Sequence, residues 1–283
     1  MKKLSKEKRQ VEILSLVENP IELCSVVDLC GHFRVETATI HRDLRDLREA
    51  GIDIHSSKRG IRLQKPLTAS DYNKLLSIYL AVSGDAVGYP KNISLITKKL
   101  QSRTLPLFTS LVNAIETNHK VELLYTKYNS SETVIRVVEP YKLVPTTRDW
   151  RLIAWSSDYF KQFIVENIKR IIILPEKFQR RKDFDIAKLF HNSFELWRSD
   201  DVIEVSLLFS RAVAKKIVNG VWSEEQEIQP LSNGSVRLRM KVNSIAQVGN
   251  WVISWGGNVS VESPKKLKNY VQQLAKGFLE HNT

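Results

Sequence analysis

Thr37–Glu49 reads TATIHRDLRDLRE, and the face each residue takes decides how the first sixty residues fold. At helical spacing Ile40, Leu44 and Leu47 fall within one narrow arc and must turn inward. Ala38, Arg42, Arg45 and Glu49 fill the opposite arc, with Thr39 and His41 at its flanks. An outward face of Thr, Ala, His and Arg at the N-terminal end of a helix suits the major groove of a duplex. Arginine can grip guanine, a small residue allows close approach, and Thr or His reaches a phosphate or base edge. Taken alone, the same helix also fits a solvated surface on which Arg45, Asp46 and Glu49 pair with one another.

The flanking sequence narrows the choice. Residues 5–18 place Val11, Leu14 and Val17 at helical spacing, and Asn19-Pro20 breaks that pattern. A second helix starts from Ser25 as N-cap, with Val26, Val27, Leu29 and Cys30 as its apolar side. Gly51 is placed to end the third helix. Two short strands, Ile52–His55 and Gly60–Leu63, then surround a basic tip, Ser56-Ser57-Lys58-Arg59. Three helices and a β-hairpin in this order outline a winged helix-turn-helix. Its candidate DNA contacts are Thr37, Ala38, Thr39, His41, Arg42, Arg45, Lys58 and Arg59.

Downstream, residues 66–118 are helical and apolar, interrupted at Gly84, Gly88 and Pro90. From 119 to about 178 the pattern changes to short strands (KVELLYTKY, ETVIRVVEPYKLV, DWRLIAWS, KQFIVENI, RIIILP), with turns at Asn129-Ser130-Ser131, Thr146-Thr147 and Ser156–Asp158. A small β-barrel is expected there. The tail reads strand, helix, strand, strand, helix, strand, helix, a βαββαβ order that implies a ferredoxin-like sandwich. The expected class is therefore α+β and multidomain. Residues 1–66 form the winged helix-turn-helix, 67–118 a helical connector or association segment, 119–190 the barrel and 200–283 a C-terminal dimerisation domain.

The 283 residues carry a net charge of +12, which favours a polyanionic partner. The excess is spread evenly along the chain, so charge alone does not locate the binding face. No apolar run reaches the length of a membrane span, and the start MKKLSKEKRQ leads into an amphipathic pattern instead of a signal peptide; a cytoplasmic protein is expected. Cys24 and Cys30 are the only cysteines and read as small core-filling thiols. The six histidines lie at 32, 41, 55, 119, 191 and 281, without metal-ligand spacing. Acidic neighbours such as Asp200-Asp201 and Glu224-Glu225 read as solvated, and Trp251 and Trp255 as packing residues of one helix. No G-x-S-x-G, P-loop or G-x-G-x-x-G is present; no enzyme activity, cofactor or metal is expected.

The stretch VETATIHRDLRDLREAGIDI resembles the winged helix-turn-helix of DeoR-like bacterial regulators, matching at Val35, Thr39, Ile40, Arg42, Asp43, Leu44 and Leu47. It departs from them at Arg34, where glycine is common, and at Glu36, where a serine cap is usual. Arg136, Pro140-Tyr141, Trp150-Arg151-Leu152 and Phe163–Ile168 resemble a WYL domain, an Sm/SH3-like barrel. Here Arg151 replaces the name-giving Tyr and Asn167 replaces the usual Arg. Trp251, Ser254, Trp255, Gly256, Gly257, Asn258 and Val259 resemble the extension that follows such domains. The resemblance implies a nucleotide or single-stranded nucleic-acid effector held by a basic, aromatic-lined patch, for which Arg136, Tyr141, Arg151 and Asn167 are the candidates. For Arg151 the strand pattern leaves two roles open, a surface side chain reaching water past Trp155 or an anion contact. The layout is similar to repressors of phage-defence loci of the BREX and CBASS type. It implies a homodimer on an inverted-repeat operator, repressing until the effector binds. A DNA-damage-responsive activator sensing single-stranded DNA, and a non-regulatory nucleic-acid-binding accessory module, are the alternatives.

Overall fold

The structure, a computed structural model, describes residues 4–18, 24–83, 90–127, 132–146, 149–182, 184–186, 202–223, 225–242 and 244–282. The expected features at Asn19-Pro20, Gly84, Gly88, Asn129–Ser131, Thr147, His191, Asp200-Asp201 and Glu224 lie outside the described residues. The chain divides into two compact units, Met1–Arg180 and Arg181–Thr283.

In the first unit, α1 (Lys6–Glu18) turns Val11, Ile13 and Leu14 into the core. α2 (Val26–Phe33) begins in a capping box: the Asp28 N–H donates to the Ser25 hydroxyl and the Ser25 N–H to the Asp28 carboxylate. This satisfies two donors that the first turn would otherwise leave open. Of its expected apolar side only Leu29 is buried, and Val27 is 76 % exposed. Two turns of helix present a single face, and adjacent valines cannot both lie on it.

α3 (Thr37–Glu49) buries Ile40, Leu44 and Leu47, as their spacing predicts, and Asp43 with them. Gly51 follows at φ +92°, the left-handed conformation that glycine adopts without steric cost. β1 (Ile54–Ser57) and β2 (Gly60–Leu63) form the wing, with Ser57 opposite Gly60. β1 starts two residues later than expected, because the Ile52 N–H donates to the Leu47 carbonyl and still belongs to the helix end. The wing tip is correspondingly shorter, Lys58-Arg59. The Ile61 N–H donates to the Cys24 carbonyl at 2.7 Å, tying the wing to the segment before α2.

α4 (Ala69–Val82) opens with a second capping box, Thr68 with Asp71. α5 (Pro90–Leu100) and a 3₁₀ turn lead into α6 (Thr104–Thr117). α6 buries residues on nearly every face, among them Leu105, Phe108, Leu111, Val112 and Ile115, which makes it a core helix and not a surface one. Asn118, at φ +55°, turns the chain directly into β3 (His119–Thr126). β4 (Thr133–Pro145), β5 (Trp150–Ser156), β6 (Tyr159–Ile164) and β7 (Ile168–Lys177) complete a five-stranded sheet in the order β6-β5-β4-β3-β7. β4 pairs with β3 through its first half and with β5 through its second, with an irregularity between Pro140 and Lys142. Proline has no N–H to give to a ladder, so a break in pairing there is expected.

One hydrophobic core runs from Val11 in α1 to Ile168 in β7 and includes the Phe108 and Trp150 rings, edge to face at 5.4 Å. The segment read as a connector thus contributes α4, α5 and α6 to the same core as the N-terminal helices and the strands.

The second unit contains β8 (Ile203–Phe209), α7 (Ala214–Val218), β9 (Gln226–Pro230), β10 (Val236–Val242), α8 (Ile245–Ile253), β11 (Val259–Ser263) and α9 (Lys265–Asn282). The four strands are antiparallel in the order β11-β8-β10-β9. Trp222, Trp251 and Trp255 pack against one another at 5.0 to 5.9 Å, the latter two also against Phe209, so this aromatic motif is a packing cluster. Gly249 lets α9 close on α8, since a Cβ there would lie 2.4 Å from the Tyr270 ring. The opposite face of the sheet carries a charged ladder, Arg237–Glu262 at 2.7 Å and Lys241–Glu225 at 2.7 Å.

Candidate nucleic-acid interface

Thr37, Ala38, His41, Arg42 and Arg45 are all exposed on α3, and Thr39 is half-buried. The residue before the helix, Glu36, has extended backbone and its side chain makes no capping hydrogen bond. Thr37 is tethered from behind, its hydroxyl accepting from the Cys30 thiol at 3.8 Å. Arg45 lies near Asp46 at 3.5 Å and Glu49 at 3.6 Å, the intrahelical pairing expected of it. With its side chain 61 % exposed, that pairing is weak enough for a phosphate to displace. Among the described residues neither His41 nor Arg42 has a side-chain partner, so both are available to a ligand. At the wing tip Lys58 and Arg59 are exposed, and the Arg59 N–H donates to the Ser57 hydroxyl, which holds the turn. The face therefore consists of a helix end with open donors and two cations on a hairpin, fixed to one core.

Behind this face lies a pairing that the spacing did not predict. Asp43 is almost wholly buried, and the Arg9 guanidinium donates to it twice, Nε to Oδ2 at 2.5 Å and Nη2 to Oδ1 at 3.0 Å. One turn on, Lys6 pairs with Asp46 at 2.6 Å; this hydrogen bond raises the Lys6 pKa and lowers that of Asp46. On its other side α1 meets α4 and α6 through further polar contacts. Tyr79 donates to Glu12 at 3.0 Å, Tyr72 donates to Glu18, Ser15 and Thr109 share a hydrogen bond at 2.8 Å, and Lys8 donates to Glu116. Burial raises the Glu12 carboxyl above its ordinary range and carries Glu18 up to about 7.

The four candidates differ in their surroundings. Arg136 is exposed in the first half of β4, opposite Leu123. Arg151 pairs across the ladder with Val144, in the other half of β4. Its guanidinium is bound by Asp149, Nε to Oδ1 at 2.7 Å and Nη2 to Oδ2 at 2.9 Å, and the Thr146 hydroxyl donates to the same carboxylate at 2.9 Å. Arg151 thus pairs within its own hairpin. Tyr141 is not available for stacking: it is buried, its ring lies edge-on to Phe160 at 4.9 Å, and the Arg180 guanidinium sits 4.8 Å from its centre. Asn167 is half-buried in a 3₁₀ turn between β6 and β7 and not on a strand. Arg170, beyond it, is exposed and lies 3.8 Å from Glu122.

Family models match three successive parts of the chain: a DeoR-like helix-turn-helix domain over residues 9–65, a WYL domain over 106–173 and a WCX domain over 201–279. The chain is a WYL-domain helix-turn-helix protein. Its α3 and wing fall within the matched helix-turn-helix domain. Several solved structures are similar to this WYL-domain protein. The Proteasome accessory factor B/C (PafBC) of Arthrobacter aurescens is 17 % identical, with 94 % of this chain and 45 % of that one covered and a TM-score of 0.30. A CRISPR Cas-related protein is 12 % identical, with 98 % and 84 % covered and a TM-score of 0.47. The chain thus spans 45 % of the length of the PafBC chain. Comparison with curated protein sequences gives no match.

What the sequence did signal about Arg9 is Asp43 itself, a carboxylate in the middle of the inward arc of α3. A buried carboxylate needs a charged or hydrogen-bonding partner. That the partner stands in α1, 34 residues earlier, follows from the fold of this WYL-domain protein and not from spacing.

Proposed function

We propose that the protein is a homodimeric repressor of its own or an adjacent operon. Its two copies of α3 would read an inverted-repeat operator, with 200–283 supplying the dimer contact and a nucleotide or single-stranded nucleic acid at the WYL domain relieving repression. The observation that carries the reading is the exposed face of α3, with Arg42 and His41 free of partners among the described residues, beside the exposed wing tip Lys58-Arg59. Thr37, Ala38, Thr39 and Arg45 complete that surface. A shared core between α3, α6 and the strands supports communication between effector and operator, because a change in packing at one end must be accommodated at the other. Arg136, an exposed cation without an ion pair among the described residues, is the effector phosphate contact in this reading. Association with a phage-defence locus rests on the resemblance of domain layout alone, and no catalytic step is involved.

Footprinting on the DNA upstream of the protein's own gene tests this. Two protected half-sites related by a two-fold, their centres a whole number of helical turns apart, are expected. Addition of short single-stranded oligonucleotides or mononucleotides should then remove protection at both together. An effector can do so only by binding the released arrangement more tightly than the bound one. A single protected half-site refutes the dimeric reading, and protection unaffected by any nucleotide refutes the proposed effector.

A further inference from the structure

α1 and α3 are joined at two points that match in spacing. Lys6 and Arg9 lie three apart on α1, Asp46 and Asp43 three apart on α3, and they pair crosswise, Lys6 with Asp46 and Arg9 with Asp43. The apolar packing of Ile40, Leu44 and Leu47 does not by itself fix a register, since hydrophobic attraction is non-directional. A two-pronged guanidinium–carboxylate pair does fix one, in distance and in angle. The Arg9 and Asp43 side chains are only 8 % and 2 % exposed, so no water replaces the pair if the helices slip. Lys6 and Asp46, at 50 % and 17 %, add a second anchor one turn along and resist rotation about the first. Arg42 precedes Asp43, and on a helix successive side chains are about 100° apart. The direction of Asp43 therefore sets the direction of Arg42.

We infer that Arg9, with Lys6, is a positioning residue for DNA recognition: it locks the rotation and axial register of α3 so that Arg42 and His41 meet base edges. The inference rests on the DNA-binding reading of α3. A buried ion pair is weak evidence for stability, because well-packed apolar groups of similar size often replace one without loss. Fixing a register is its better-attested use. This separates a positioning role from a merely structural one.

The test uses the full chain and a duplex selected by the wild-type protein from a randomised pool, with a scrambled duplex as competitor. The wild type should favour the selected duplex. In R9M/D43L, which exchanges the pair for apolar side chains, thermal stability should be kept. Selective affinity should fall about tenfold or more, while affinity for the scrambled duplex and its salt dependence stay unchanged. R9K, which keeps the charge but not the two-pronged geometry, should restore part of the selectivity. Full selectivity in a folded R9M/D43L overturns the inference. If R9M/D43L does not fold, the exposed pair decides through K6A: a loss of about threefold in selectivity supports the inference, and unchanged selectivity overturns it. A wild type that selects no duplex refutes the DNA-binding reading itself and takes this inference with it, a failure distinct from that of the variants.

Discussion

Arg151 binds Asp149 through two nitrogens on one edge of its guanidinium, and the Thr146 hydroxyl also donates to that carboxylate. Removing the guanidinium leaves a half-buried carboxylate with one partner fewer. Arg151→Ala should therefore lower stability by about 1 kcal/mol, read by urea denaturation, and leave duplex affinity unchanged. Lost effector response with full stability would instead return Arg151 to ligand binding. Glu18 offers a second test on a single side chain. Its carboxyl rises from 4.5 to about 7, chiefly by burial, against the opposing hydrogen bond from Tyr72. The folded chain keeps that proton up to about pH 7, whereas the unfolded chain releases it near 4.5. The fold binds the extra proton between those limits, so the Glu18 contribution to stability declines as pH rises through them. Glu18→Gln should remove that part of the slope; an unchanged profile between wild type and variant would contradict the burial argument.

Among the elements, the proposed function divides phosphate and base recognition between the wing and α3. Substituting alanine at Lys58 and Arg59 should weaken binding to selected and scrambled duplexes alike. It should also reduce the slope of affinity against salt by about one for each phosphate that is no longer neutralised. A change in sequence preference would place the wing against base edges. The face of α3 was legible in the sequence because a period of 3.6 assigns inside and outside residue by residue, and Ile40, Leu44 and Leu47 leave one solution. The wing was legible through its turn residues, apart from β1, whose start was masked by Ile52 completing the helix. Long-range pairing was not legible. Arg9 and Asp43 are 34 positions apart, and nothing local selects one partner over another. The same holds for Tyr141: alternation places it on a strand face but does not reveal that Arg180 and Phe160 cover that face.

Across the whole molecule, the feature with most consequence is the single core of the first unit. α6 turns at Asn118 straight into β3 and also meets α1 through Ser15–Thr109 and Lys8–Glu116. The helices between the helix-turn-helix and WYL segments are packed into that one body. The proposed homodimer has its own check: sedimentation should give twice the chain mass, and one duplex should take up two chains. One chain per duplex would restrict recognition to a single half-site.

Recognition of sequence through α3 is decided by fluorescence anisotropy of wild type and Arg42→Ala on a selected and a scrambled duplex over a range of salt. Selective, salt-sensitive binding is predicted for the wild type. In the variant, selectivity should be reduced by about 1–3 kcal/mol and the salt slope almost unaltered. Equal, weak binding of both duplexes by the wild type, or full selectivity in Arg42→Ala, would contradict it.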